Sequence, residues 1–208
     1  MRRPQPFVQR FHGAIAIQDR MQIFHQKPVT IWLTGLSGAG KSTIAFELEE
    51  QLISLSHACY VLDGDNIRHG LASDLGFDPK DRRENIRRVA HVAQLMNDAG
   101  LIVITALISP MSDDRALARD IIGSGKFIET YLSAPLATCA RRDPKGLYAK
   151  ARSGEITSFT GVSAPYEAPV EPELHIDTAT LTPGESVAQI VAYLRENCLV
   201  TAGHEAET

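Results

Sequence analysis

Gly35-Leu36-Ser37-Gly38-Ala39-Gly40-Lys41-Ser42 follows an apolar run, Val29 to Leu33, and precedes an apolar-periodic segment. The spacing is G-x-x-x-x-G-K-[ST], a loop whose backbone N–H groups wrap a polyphosphate. Glycines at 35, 38 and 40 allow positive φ and leave no Cβ in the way of that approach. Lys41 reaches the β- and γ-phosphates, Ser42 offers a hydroxyl to Mg²⁺, and the following helix adds the partial positive charge of its N-terminus. A second set of reactive residues is Asp63 and Asp65, which flank Gly64 at the end of the apolar run Cys59 to Leu62. Two such acids hold Mg²⁺ through water or accept a proton from an attacking hydroxyl, although Asp-Gly is also ordinary turn chemistry. No acid closes the apolar run Leu101 to Ile108, so the magnesium aspartate falls to Asp63 or Asp65. A third set is Arg82, Arg83, Arg87 and Arg88, which follow Asp78. Arginines in a first helical turn oppose the helix dipole, and a bound anion removes that penalty. Arg82 and Asn85 lie three apart on one face, where they can grip one ligand. Phe77 is either a hydrophobic staple or a stacking plate for a base.

These sets need strand ends to hold them, and the chain alternates strand and helix. Strands are expected at 30–34, 59–62, 101–108, 127–132 and 174–176. Helices are expected from Lys41 through Leu52, from Asp78 to Gly100, at 113–122 and at 185–196. The helix after Asp78 is announced by that N-cap, by Pro79 in its first position and by a stripe of Ile86, Val89, Ala90, Ala93 and Met96. A continuous apolar strand such as 101–108 belongs in a parallel sheet covered on both faces. The pattern predicts a doubly wound parallel sheet in a three-layer α/β/α arrangement, with ligands outside the carboxyl ends of the strands. Residues 141–173 break the periodicity, basic first and proline-rich later, and are expected to form a mobile lid. Residues 64–76 are expected to be irregular.

The chain has 208 residues, 44% hydrophobic and 22% charged, with a net charge of -4. That suits one α/β domain over 29–199 and argues against a broad nucleic-acid surface. No apolar run reaches membrane-spanning length. Cys59, Cys139 and Cys198 form neither a disulfide framework nor a zinc pattern, so a reducing, cytoplasmic setting is expected. The seven histidines show no ligand spacing. Residues 1–28 carry Arg2, Arg3, Arg10 and Arg20 with Asp19 as their one acid, and Ala14–Ile17 is too short for a signal-peptide core. This stretch is expected to be a flexible arm packed on the domain or a partner subunit, in preference to an organelle transit peptide. A flexible tail is expected over 200–208.

Taken together the motifs resemble the adenylylsulfate kinase (APS kinase) family from about Trp32 to Leu194. The matching stretches are GLSGAGKST at 35–43, LDGDNIRHGL at 62–71, LGF at 75–77, DRRENIRR at 81–88, ISP at 108–110, RDPKGLY at 142–148 and FTG at 159–161. A generic phosphate-loop kinase shares only the first. The resemblance implies ATP-dependent phosphorylation of the 3′-hydroxyl of adenosine 5′-phosphosulfate (APS), giving 3′-phosphoadenosine 5′-phosphosulfate (PAPS), with ATP and Mg²⁺ as cofactors. It implies that residues 35–43 and Arg142 bind ATP, and that Ser42, Asp63 and Asp65 hold the metal. Asp65, Asn66, Ile67, Arg68, Arg82 and Asn85 would line the APS site with Ile108, Ser109, Lys145 and Ser158. Phe77 and Phe159 would sandwich the APS adenine. Lys41, Asp65 and Ser109 are the implied catalytic residues. The family serine at Ser109 is often described as a phosphoserine intermediate, whereas direct in-line transfer needs only positioning, Mg²⁺ and positive charge. A homodimer and a sulfate adenylyltransferase partner are also implied. The chain departs from the family pattern at Met111, Ser112, Ala149-Lys150 and Thr157-Ser158, which bear on lid closure and affinity more than on reaction type. Two rivals stand beside this reading: a kinase of another small acceptor, such as a sugar or nucleoside, and a non-catalytic nucleotide-binding module.

Overall fold

The computed structural model describes residue 9, residue 11, residues 13–197 and residues 199–200. Five strands form one parallel sheet in the order β2-β3-β1-β4-β5. They are β1 (Thr30–Thr34), β2 (Cys59–Asp63), β3 (Ile102–Ala106), β4 (Phe127–Ser133) and β5 (Leu174–Asp177). Side chains alternate across the sheet. Ile31, Leu33 and Ile104 enter one apolar cluster, together with Ile44 and Leu48 of helix α2 (Lys41–Ser54) and Ile190 and Leu194 of helix α8 (Pro183–Glu196). Trp32 and Val103 enter the opposite cluster, with Ile86 and Val89 of α4 (Pro79–Asp98) and Ala118 of α5 (Ser112–Ile122). The result is the expected three-layer, doubly wound α/β fold.

Local chemistry explains where elements start. Asp78 caps α4 by accepting from the Asp81 amide, with Pro79 in the first turn. α8 starts at Pro183, two residues before the expected 185, because Thr182 and Glu185 form a reciprocal capping box. Residues 64–76 are more ordered than expected. Gly64–Arg68 is a short helix, α3, whose N-cap is Asp63. β3 is shorter than the apolar run 101–108. At its exit the Ile108 carbonyl is taken by the Thr34 hydroxyl at 2.7 Å, and Ser109 turns the chain with a φ of 38°.

Residues 141–173 are also less bare than their sequence suggests. Helix α6 (Leu136–Arg142) runs into the segment, helix α7 (Leu147–Arg152) lies within it, and a tight turn follows at 159–164. Within the expected arm, Ile17–Phe24 is a helix, α1, and Phe24 and Arg20 pack against Gly100. Residues 1–8, 10 and 12 of that arm, Cys198, and residues 201–208 of the expected tail lie outside the described residues. Val200 belongs to the folded domain: it is 5% exposed and bridges to Gln26.

Candidate active site

The phosphate loop leaves the carboxyl end of β1 and enters α2. A Cβ on Gly35 would lie 2.5 Å from the Leu132 carbonyl oxygen, and one on Gly38, where φ is +77°, would lie 2.8 Å from that of Cys139. Neither position admits a side chain without moving backbone. Lys41 is buried behind the loop, its Nζ donating to the carbonyls of Gly35 at 2.9 Å and Leu36 at 2.7 Å. Burial pushes this ammonium down to about 8, against the opposing pull of Cys139 and Asp63. Its charge is desolvated and its present acceptors are neutral, which suits a group awaiting phosphate.

The two acids at the end of β2 occupy different surroundings. Asp63 is 6% exposed; one carboxylate oxygen accepts from the Ser42 hydroxyl at 2.7 Å, and the other accepts from the Asp65 amide at 2.9 Å and the Asn66 amide at 3.5 Å. Asp65 is exposed and pairs with Lys145, which precedes α7. The sequence treats Asp63 and Asp65 alike as metal ligands, but the fold brings only Asp63 to Ser42. Among the described residues no three His, Cys, Asp or Glu side chains cluster as a metal cage. One carboxylate and one hydroxyl fit Mg²⁺, which keeps several waters and takes its other ligands from substrate phosphates.

Beyond the loop, a cavity of about 360 Å³ is lined by Gly40, Thr43, Arg142, Thr178, Leu181 and Pro183. Arg142 donates to the carbonyls of Gly38 and Thr178. Thr178 and Leu181 come from the β5–α8 connection and Pro183 opens α8; no motif marks this stretch, so the sequence does not point to them.

On the other side of Asp63 lie the residues read as an acceptor site. The Arg68 guanidinium sits 4.1 Å above the Phe77 ring and donates to the carbonyls of Leu75 and Gly76. Arg82 donates to the Phe77 carbonyl at 2.6 Å, the Thr160 hydroxyl at 2.6 Å and the Ser158 carbonyl at 2.9 Å. Burial lowers the pKa of both guanidiniums. Asn85 is 5% exposed, and its Oδ1 has no partner among the described residues. A buried acceptor left unpaired is costly, so a donor brought by a ligand gains that much. Asn66 is exposed on α3, and Ile67 packs against the Trp32 cluster.

The two phenylalanines differ. Phe77 is 63% exposed, whereas Phe159 is 7% exposed and stands edge-on to Tyr148, with ring centroids 4.9 Å apart. Ser109 is also buried, at 3%, and its hydroxyl accepts from Trp32 Nε1 at 3.1 Å. Its carbonyl accepts from Arg115, a buried arginine that also pairs with Glu129 at 2.6 Å and donates to the Glu167 carbonyl. Of the departures from the family pattern, Ser112 has a clear place: its amide and hydroxyl both donate to Glu167. Arg115 lies in none of the family motifs, and Tyr148, within RDPKGLY, carries no chemistry its spacing would mark, so neither is legible from the sequence as a site residue.

The family model described as adenylylsulphate kinase matches residues 27–177, most of the chain. The chain belongs to the adenylylsulphate kinase family. The adenylyl-sulfate kinase of Aeromonas salmonicida (strain A449) is 55% identical over 178 residues, which cover 86% of this chain and 89% of that protein. The bifunctional enzyme NodQ of Rhizobium tropici is 58% identical over 176 residues; these are 85% of this chain but only 28% of NodQ. Among solved structures, the Mycobacterium tuberculosis APS kinase CysC in complex with AMPPNP and APS superposes with a TM-score of 0.79 at 46% identity, over 82% of this chain and 99% of that one. The match to the adenylylsulphate kinase family covers the phosphate loop, both β2 acids and the turn at 159–161. It therefore spans every residue of the candidate site described here except Thr178, Leu181 and Pro183. Among the described residues no helix is long and apolar enough to cross a membrane.

Proposed function

We infer that this chain transfers the γ-phosphoryl group of ATP to the 3′-hydroxyl of APS, giving PAPS and ADP. The observation that carries this is the 2.7 Å hydrogen bond from Ser42 to Asp63. It joins the phosphate loop directly to the end of β2, where α3 with Asp65 begins, so that a nucleotide in the loop and an acceptor over α3 share one wall. ATP lies with its phosphates in loop 35–43 and its base beside Arg142 and Thr178. Ser42 and Asp63 would hold Mg²⁺, which would supply neutralisation of the nucleotide's phosphate charge. Lys41 exchanges its two carbonyl acceptors for phosphate oxygens and stays on the γ-phosphoryl oxygens as charge spreads over them.

The APS adenine stacks on Phe77 and against Phe159, and Arg68 leaves the Phe77 ring to meet the anionic end of APS. Arg82 holds the 158–160 segment while Asn85 accepts a hydrogen bond from the ligand. Asp65, released by Lys145, orients the 3′-hydroxyl and takes its proton. Ser109 acts as a buried wall of the acceptor site and keeps its hydroxyl on Trp32. The segment 141–173 closes as a lid and excludes water, which would otherwise compete as acceptor. The chain works as a homodimer in the cytoplasm, with APS supplied by a sulfate adenylyltransferase.

A coupled ADP-release assay with and without APS tests this, with PAPS identified by chromatography. APS-dependent ADP release in one-to-one ratio with PAPS is expected. Release driven equally by sugars or nucleosides would favour a different acceptor, and ATP binding with no transfer would favour a non-catalytic module.

A further inference from the structure

Tyr148 has no part in the chemistry above, yet it touches both halves of the site. It is 1% exposed. Its hydroxyl donates to the Ser37 carbonyl in the phosphate loop at 2.8 Å, and its ring meets Phe159 edge-on at an interplanar angle of 84°. Its backbone is fixed as well, because the Tyr148 amide donates to the Asp143 carboxylate at 3.1 Å. The turn that carries Phe159 is gripped from two sides. Gly161 lies against the Leu36 side chain of the loop, so closely that a Cβ would stand 2.9 Å from Leu36 Cδ2. Arg82 of α4 holds Thr160 and the Ser158 carbonyl from the other side.

The loop itself has a reason to change with occupancy. Lys41 now binds the carbonyls of Gly35 and Leu36, the two peptides that lead into Ser37. Phosphate oxygens are the stronger acceptors for an ammonium, so a bound nucleotide draws Lys41 away and frees those carbonyls. The next carbonyl along is the one that Tyr148 holds. We propose that Tyr148 is a positioning residue that couples nucleotide occupancy of the phosphate loop to the placement of Phe159, so that nucleotide and acceptor bind with positive cooperativity. This rests on the assignment of Phe159 to the acceptor site made above. Such coupling is reciprocal: each ligand tightens the other by one common factor.

Calorimetric titrations of the full chain with AMPPNP–Mg²⁺ and APS test it. In the wild type, saturating AMPPNP should tighten APS binding by about fivefold or more, the low end of usual coupling, and APS should tighten AMPPNP equally. Tyr148→Phe keeps the ring against Phe159 and loses only the hydroxyl. It should bring both factors to within about twofold of unity, while leaving APS affinity without nucleotide within about twofold of wild type. A merely structural residue would weaken each ligand and leave the ratio intact, which would overturn the proposal; so would a wild type with no coupling. Should Tyr148→Phe fail to fold, hydrogen exchange on the wild type decides: AMPPNP–Mg²⁺ should slow the amides of 159–164, and unchanged exchange there refutes the coupling. Absence of APS-dependent ADP release in the wild type is a separate result, and it overturns the functional assignment and this inference together.

Discussion

Lys41 and Phe77 show how single side chains divide the work. Lys41 is desolvated and held by two neutral carbonyls, so the interaction with a γ-phosphoryl group proposed for it would gain strength from an environment that water does not screen. Lys41→Ala should lower kcat by roughly 10²–10³, the scale of one preorganised electrostatic stabiliser. Steady-state turnover within threefold of wild type would contradict the role. Phe77 is exposed and adds little to the core, so Phe77→Ala tests its proposed place in the acceptor site with small cost to folding. Stacking on an aromatic ring is worth about 1–3 kcal/mol per base, so the APS KM should rise about 5- to 150-fold while the ATP KM stays nearly constant. Equal loss for both substrates would remove Phe77 from the acceptor side. Phe159 would report less cleanly, because it is also a core residue packed on Tyr148.

The elements explain why those side chains are where they are. The helix at 79 was legible because Asp78, Pro79 and the apolar stripe all mark the same start. The corner after β3 was not legible, since an unbroken apolar run gives no sign of where a strand stops. It is set instead by contacts from distant elements: Thr34 takes the Ile108 carbonyl, and Arg115 takes the Ser109 carbonyl. Arg115 also ties α5 to β4 through Glu129 and to the return of 141–173 through Glu167. Breaking a buried pair usually costs 3–5 kcal/mol, but Arg119 lies 3.5 Å from the same glutamate and would still serve it. Arg115→Ala should therefore destabilise by about 2–3 kcal/mol in urea unfolding. It should also lower kcat through a loosened Ser109 corner. Unchanged stability would mean that Arg119 alone suffices.

At the scale of the whole molecule, the site occupies the carboxyl ends of the strands, and a different set of contacts closes the amino ends. Gln26 is 4% exposed, and its side chain donates to the Ala58 and Gly100 carbonyls and accepts from the Ala58 amide. The Lys27 backbone amide donates to the Leu199 carbonyl, so both ends of the domain meet beneath β2 and β3. Gln26→Ala would strand these buried backbone groups at about 1–3 kcal/mol. Because the strands are parallel, this strap is a full strand length from the phosphate loop. The melting temperature should fall with kcat and both KM values unchanged, and a matching loss of turnover would show that the two ends of the sheet communicate.

The sequence alone determined the phosphate loop, the alternation of strands and helices and the family, because these rest on short-range requirements: glycine where φ is positive, a lysine at fixed spacing, caps beside helices. Tertiary structure decided what depends on side chains far apart in the chain. It separated Asp63, buried on Ser42, from Asp65, turned outward to Lys145. It put Phe159 in the core and Phe77 at the surface, and it brought Tyr148 within reach of Ser37 across 111 positions of sequence. Identical residue types acquire different roles there because burial and the partners a fold supplies, rather than spacing along the chain, set what each charge or ring can do.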